Sequence, residues 1–326
     1  MTNYTIGVDL GGTSLRVAAV DEQGHAVEKI TLATQVSLGR ERVIDDMCES
    51  ILQLTRKYSS SSKLMGIGIG VPGIIDIETG MVREAVNLPG WANYPVRAEI
   101  ENRLQTHVVL GNDAHVATLG EKWLGAGRAV DDMAMLTLGT GVGGGLVLNG
   151  KIWHGMKGMA GEFGHFTVEP EGHPCGCGNR GCLEQYASAT AIVRMAREAV
   201  AANSVSKLAQ IAELSSKSIY DLAMQGDGEA QQIFRRVGRA LGIVLADMVN
   251  GLNLPLYVIG GGAASAWDAF APAMFEEICT RSVVYVATAP TASKGGRQTI
   301  ITRALLGGDA GLFGAARLPL MWGSAR

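Results

Sequence analysis

Charge is scarce in this chain. Charged residues make up 18% of 326 positions and leave a net charge of −3, below the ~25% charged content of an average globular protein. Such a balance favours neither nucleic acid nor an anionic membrane surface as a partner. Long apolar runs are also missing. The most apolar late stretch, GIVLADMVNGLNLPLYVIGGG, is broken by Asp247, Asn250, Asn253 and Pro255, so it reads as a buried helix, a turn and a strand. The opening MTNYTIGVDL has no basic region and no apolar stretch of the secretory kind, which sets the expectation of a cytoplasmic protein. Cysteine is rare, with 5 in the chain, and an odd number in a reducing compartment argues against disulfides. Small soluble ligands remain as the expected partners.

Glycine is abundant, with 44 residues where ~7% is usual. The excess lies in short loops beside apolar runs, where a backbone without Cβ approaches a ligand closely. In YTIGVDLGGTSLRVAAVD, residues 4–8 read as a buried strand, Gly11-Gly12-Thr13 as a tight turn and 14–20 as a second strand. A turn that joins strand to strand is neither a Rossmann nor a Walker phosphate loop, both of which open a helix. About 130 residues later MAMLTLGTGVGGGLVLNG repeats the unit, so the chain reads as a duplicated domain with a cleft between its halves. Its length suffices for two such halves. A third cluster, Gly260 to Gly262, follows another buried strand and opens a helix. Helices are expected over 40–57, 114–124, 187–202, 229–250 and 266–280, with KYSSSSK (57–63) as a loop.

The glycine turns suit a polyphosphate. Their N–H groups point at phosphate oxygens, Thr13 adds a hydroxyl donor, and Asp9 at the strand end is placed to hold Mg²⁺ directly or through water. In VVLGNDAHVATLGE a strand gives way to a helix at Asn112-Asp113. Either residue serves as an N-cap, and Asp113 alternatively as a general base. The stretch GHFTVEPEGHPCGCGNRGCLE gathers Cys175, Cys177 and Cys182 ten positions after His165. Three sulfurs and one nitrogen are a zinc donor set. His173 competes with His165 for the nitrogen position, while Cys48 and Cys279 read as core thiols. Glu162 and Glu184 beside the cluster read either as loop charges or as acceptors for a ligand with many hydroxyls.

Taken together, GEFGH…CGCGNRGCLE, VDLGGT, VPGIID, NLPGW, NDA, LGTGVGGG and IGGG resemble, in order and essentially end to end, the ROK family of repressors, open reading frames and sugar kinases. The resemblance implies an α/β, actin-like ATPase fold, a duplicated ribonuclease H-like design with two lobes and a cleft between them. The small lobe would comprise 1–113 plus about 301–326, with DAGLFGAARL as a returning helix, and the large lobe 114–300 with a zinc-binding loop over 165–182. It implies transfer of the ATP γ-phosphoryl group to the 6-hydroxyl of a hexose, glucose foremost, with N-acetylmannosamine, N-acetylglucosamine or fructose as alternatives.

Residue by residue, the resemblance makes Asp113 the catalytic base. Asn112, Glu162, His165 and Glu184 would hold ring hydroxyls, with Gly73 and Asn87 as further candidates. Asp9, Gly11, Gly12, Thr13, Thr140 and Gly141 would grip phosphate and Mg²⁺, and Gly261 and Gly262 would carry the nucleoside. Zinc on one ring nitrogen of His165 would orient the other toward a sugar hydroxyl. Family members form homodimers or homotetramers. Its repressors place a helix-turn-helix ahead of the phosphate turn, and the early Asp9 and the charge set that reading aside. One departure stands out: Ser14 occupies the position where many relatives have lysine, and Arg16, on the same strand face, is the expected substitute.

Overall fold

A computed structural model of the chain describes residues 3–85, 88–203, 205–292 and 296–322. The elements of the first stretch are β1 (Asn3–Leu10), β2 (Ser14–Asp21), β3 (Ala26–Ala33), α1 (Arg40–Tyr58), β4 (Lys63–Val71), β5 (Ile74–Asp76) and β6 (Met81–Glu84). Next come α2 (Val96–Leu104), β7 (Val108–Asn112), α3 (Asp113–Leu124), β8 (Met133–Leu138), β9 (Val142–Leu148), β10 (Lys151–Ile152), α4 (Glu184–Ala187) and α5 (Ala189–Ala202). The chain continues through α6 (Ser216–Met224), α7 (Gly228–Leu252), β11 (Leu256–Gly260), α8 (Trp267–Arg281), α9 (Val283–Thr288), β12 (Ile300–Arg303) and α10 (Ala310–Trp322).

One five-stranded sheet has the order β3-β2-β1-β4-β7 and another the order β10-β9-β8-β11-β12. In the first, β1 pairs antiparallel with its hairpin partner β2 and parallel with β4. In the second, β8 likewise takes the central place, beside β9 and parallel to β11. The same topology therefore appears twice, as the repeated glycine-turn unit predicts for an α/β, duplicated ribonuclease H-like chain. Two compact units result: Met1–Asp131 with Gly145–Gly161 and Gly308–Arg326, and Asp132–Gly144 with Glu162–Gly307. The expected division at 113/114 falls one residue into α3, and α3 and the preceding β7 both lie in the first unit.

In the first unit, alternation along β1 sends Tyr4, Ile6, Val8 and Leu10 into one core. There they meet Val43, Ile44, Met47, Ile51 and Leu54, which recur at helical spacing along α1. The other face of the sheet is covered by α10, whose Leu312 and Ala316 pack on Ala18 and Val20. Leu318 of α10 meets Val109, Val116 and Leu119 of β7 and α3. In the second unit α7 buries Phe234, Val237, Leu241, Val244 and Leu245 and packs on α8. Asp227 caps its start by accepting from the Ala230 N–H at 2.9 Å, and Asn253 ends it at a left-handed φ of 47°.

Helix expectations agree with the structure except at edges. Tyr58, expected in a loop, completes α1 one residue past the expected end at 57, and the expected helix from 187 begins at Ala189 after the separate turn of α4. No expectation covered α2, α6 or α9. In α2 only Val96 and Ile100 are buried, too few to print a period. Among the described residues no helix is long and apolar enough to cross a membrane.

A buried and a half-buried histidine make the first unit sensitive to acid. His115 in α3 is 3% exposed and donates through Nε2 to the Ala160 carbonyl at 2.7 Å, with the His154 ring 5.6 Å away. Burial lowers the pKa of both, and the neighbouring His115 helps bring His154 down to about 4. As pH falls below ~6.5 the unfolded chain takes up protons that these native side chains refuse, so stability drops between ~6.5 and ~4. At about 1.4 kcal/mol per pKa unit, with allowance for partial exposure, His154 accounts for about 2 kcal/mol. The urea midpoint is expected to fall from pH 7 to pH 5, and less so in His154→Gln. An equal fall in both proteins refutes this assignment.

Candidate active site

β7 ends at Asn112, and its last side chain starts the next helix. Asn112 Oδ1 accepts from the N–H groups of Ala114 and His115 at 2.9 and 3.1 Å, while its amide donates to the Gly73 carbonyl at 2.9 Å. The capping role open in the sequence therefore belongs to Asn112. One amide hydrogen of Asn112 is left for a ligand. Asp113 follows as the first residue of α3, half-buried, with Oδ1 accepting from Ala114 N–H at 2.9 Å. Gly73, Asn112 and Asp113 thus form one group, and Asn87 lies outside the described residues.

The first glycine turn is closed by Gly11 N–H donating to Ser14 O at 2.9 Å. Thr34 braces it, its hydroxyl donating to Gly11 O at 2.7 Å and its N–H to Thr13 O at 3.0 Å. Gly12 and Thr13 are exposed at its tip. Asp9, one strand residue earlier, sits beside Arg16 at 3.7 Å. Burial pushes its carboxyl above the usual value, Arg16 pulls it down and Asp309 adds to the rise. A carboxylate next to a hydroxyl and backbone N–H groups suits Mg²⁺, a hard cation that takes one or two carboxylates plus phosphate oxygens.

The second glycine turn is held differently. Gly139 accepts from Ala189 N–H at 2.9 Å, and the Thr190 hydroxyl donates to Thr140 O at 2.8 Å. Glu184, at the start of α4, accepts from Val142 N–H at 3.0 Å. Its carboxylate fills the space where a Cβ on residue 141 would stand, so any larger residue there would have to displace it. Gly261 and Gly262 are exposed at the end of β11, and the backbone of Gly261, at a φ of 84°, lies against Leu138 at the end of β8.

His165, Cys175, Cys177 and Cys182 bring their donor atoms within 4.8 Å of one another. Cys177 and Cys182 sulfurs are 3.7 Å apart, as are Cys175 Sγ and His165 Nδ1. A tetrahedron with metal–sulfur bonds of about 2.3 Å has edges of about 3.8 Å, so the four donors fit such an ion. Burial pushes the Cys182 thiol up to about 12, while the Asn179 N–H draws Cys177 down. His173 is not in the group; its Nδ1 faces the Pro174 carbonyl at 2.9 Å. Sequence reasoning missed Gln185, whose amide donates to Cys175 Sγ at 3.6 Å. Its only signal was adjacency to Glu184.

His165 has two faces. Nδ1 looks into the sulfur cluster, and Nε2 lies 3.9 Å from Glu162 Oε2. Partial burial pushes the Glu162 carboxyl above its usual value; His165 opposes the rise and Glu184 adds to it. The second unit therefore gathers His165, Glu162, Glu184 and Gly141 beside the metal donors. Two carboxylates and an imidazole form an acceptor-rich wall that matches a neutral polyol.

Known proteins share this plan. The ROK family model matches residues 5–321. A glucokinase of Thermotoga maritima is 41% identical, over 96% of each chain. One from Halalkalibacterium halodurans is 39% identical over 97% of this chain and 94% of its own. The crystal structure of a ROK family glucokinase from Streptomyces griseus with glucose and AMPPNP superposes with a TM-score of 0.77 at 33% identity, covering 97% of this chain and 98% of that one. With its motifs, its doubled sheet topology and these likenesses in agreement, the chain belongs to the ROK family.

Proposed function

We propose that this protein transfers the γ-phosphoryl group of ATP to the 6-hydroxyl of a hexose, with glucose preferred. The observation that carries the reading is the two-faced His165, with one ring nitrogen among three cysteines and the other beside Glu162. The identity of about 40% to two glucokinases supports glucose over other hexoses.

In this reading Asp113 takes the proton of the attacking 6-hydroxyl, as the carboxylate base of a phosphoryl transfer does. Glu162 and Glu184 accept hydrogen bonds from ring hydroxyls, and Nε2 of His165 adds a third, directional contact. Asn112 contributes its remaining amide hydrogen, and Gly73 fixes the Asn112 side chain by its carbonyl. The N–H groups of Gly12, Thr140 and Gly141 and the Thr13 hydroxyl hold phosphate oxygens, Gly11 shapes the first turn by its N–H bond to Ser14, and Gly261 and Gly262 seat the nucleoside. Mg²⁺, held by Asp9, would neutralise phosphate charge. Zinc, held by His165, Cys175, Cys177 and Cys182, would fix the imidazole and take no part in the transfer. The rate then comes mainly from positioning and charge stabilisation. A cytoplasmic homodimer or homotetramer is the expected assembly, and light scattering after size exclusion reads it.

Gly141→Ala is expected to raise the glucose KM about 10-fold or more, because the new methyl displaces the Glu184 carboxylate. An unchanged glucose KM with a raised ATP KM places residue 141 at the phosphates only. The function itself is tested by ADP release with glucose, fructose, N-acetylglucosamine and N-acetylmannosamine, compared as kcat/KM. The highest value with glucose supports the proposal. ADP release that no sugar stimulates overturns it.

A further inference from the structure

Arg16 stands directly opposite Asp9 in the antiparallel register of β1 and β2. Both lie on the face that α10 covers, since Ala18 and Val20, two and four residues after Arg16, pack on Leu312 and Ala316. The guanidinium lies 3.7 Å from the Asp9 carboxylate and donates to the Gly308 carbonyl. That second bond ties it to the turn before α10. Lys29, opposite Ala18 in the β2–β3 register, is engaged by Asp309 at 2.7 Å. Arg16 is thus the cation nearest Asp9, and Asp309 is the neighbouring anion. From the α10 side, Gly311 admits the carboxylate: a Cβ there would stand 2.8 Å from Asp9 Oδ1.

We propose that Arg16 is the resident counter-ion of Asp9, a positioning residue that holds the carboxylate in the cation-free chain and competes with the divalent cation for it. The proposal rests on the reading of Asp9 as a cation-binding residue. It is an alternative to the expectation that Arg16 substitutes at the phosphates for the lysine absent at Ser14, and the variants below separate the two. A guanidinium bonded to Gly308 has its charge spent on the carboxylate, and two cations cannot share one side of a single carboxylate without repulsion. Removing the arginine leaves Asp9 more exposed to Asp309 and more attractive to a metal.

The test uses the full chain, free of nucleotide, with Mn²⁺ as probe, read by the loss of its electron-paramagnetic signal at pH 8. Arg16→Ala and Arg16→Gln are expected to lower the half-saturating Mn²⁺ concentration at least about 5- to 10-fold, the order expected for unit charges about 4 Å apart at the dielectric of bulk water. Arg16→Lys, which keeps the charge, should stay near wild type. The half-saturating Mg²⁺ for glucose-dependent ADP release should fall in parallel. Unchanged or weaker Mn²⁺ binding in folded Arg16→Ala and Arg16→Gln overturns the proposal, as does absence of Mn²⁺ binding to the wild type. Weaker ADP binding in EDTA by those variants, with metal dependence unchanged, also overturns it by making Arg16 a phosphate ligand. A wild type that phosphorylates no sugar defeats the functional reading alone, because the Mn²⁺ titration still decides the role of Arg16.

Discussion

Asp113→Asn is expected to lower kcat by about 10²–10⁴, the usual worth of a positioned general base, with little change in the glucose KM. The substitution is nearly isosteric. Its side-chain oxygen still accepts from the Ala114 N–H, now at 2.9 Å, and the cap supplied by Asn112 is untouched. Loss of the negative charge at the start of α3 costs about 0.3–1 kcal/mol of helix stability, too little to unfold the chain. Affinity should persist because the ring hydroxyls are assigned to Glu162, His165 and Glu184, none of which changes. A kcat drop with intact glucose binding, read by intrinsic fluorescence, is the expected pair of results. A variant retaining kcat within a few-fold removes Asp113 from the proton transfer.

Removing the metal is expected to weaken glucose binding about 10- to 100-fold, the range typical when the partner that orients a binding imidazole is lost. Glycine, proline and polar residues dominate the loop from His165 to Cys182, so it has little apolar core of its own. Its ends are nevertheless tied by backbone. Val168 N–H donates to Gly181 O and Leu183 N–H to Phe166 O, each at 2.8 Å. The body of the second unit is built on the packing of α7 against α8, and α7 meets the loop through the exposed Arg236–Glu169 ion pair at 3.3 Å. Far-UV circular dichroism should therefore barely change while the His165 ring loses its fixed direction. Chelation with verified loss of zinc, a glucose titration and zinc re-addition make the experiment. Unchanged affinity in zinc-free protein sinks the assignment of zinc as an orienting ligand.

Legibility differed by range. The strand–turn–strand units at Gly11–Thr13 and Gly139–Gly141 were readable because each is written within about eighteen residues, with hydrophobic period and turn glycines in sequence. The cysteine cluster was readable for the same reason: Cys175, Cys177 and Cys182 fall within eight positions. α7 was readable because its buried stripe runs for 25 residues between good caps. By contrast α2 buries two side chains, and α9 buries only Tyr285. Such elements owe their place to neighbours, not to their own pattern.

Residue types and short spacings alone settled the doubled hairpin plan, the three-cysteine cluster and the change from strand to helix at Asn112-Asp113, and left open His165 against His173 and which of Asn112 and Asp113 is the cap. All are local: the partners lie close along the chain, so chain geometry brings them together. The nearness of Gly141 to the Glu184 carboxylate, the pairing of Arg16 with a carbonyl 292 residues away and the fit of Asp9 against Gly311 were decided by tertiary structure. Those contacts arise where α4 meets the second turn and where α10 packs on β1 and β2. Their registers are set by the summed packing of whole faces, which no short window of residues encodes.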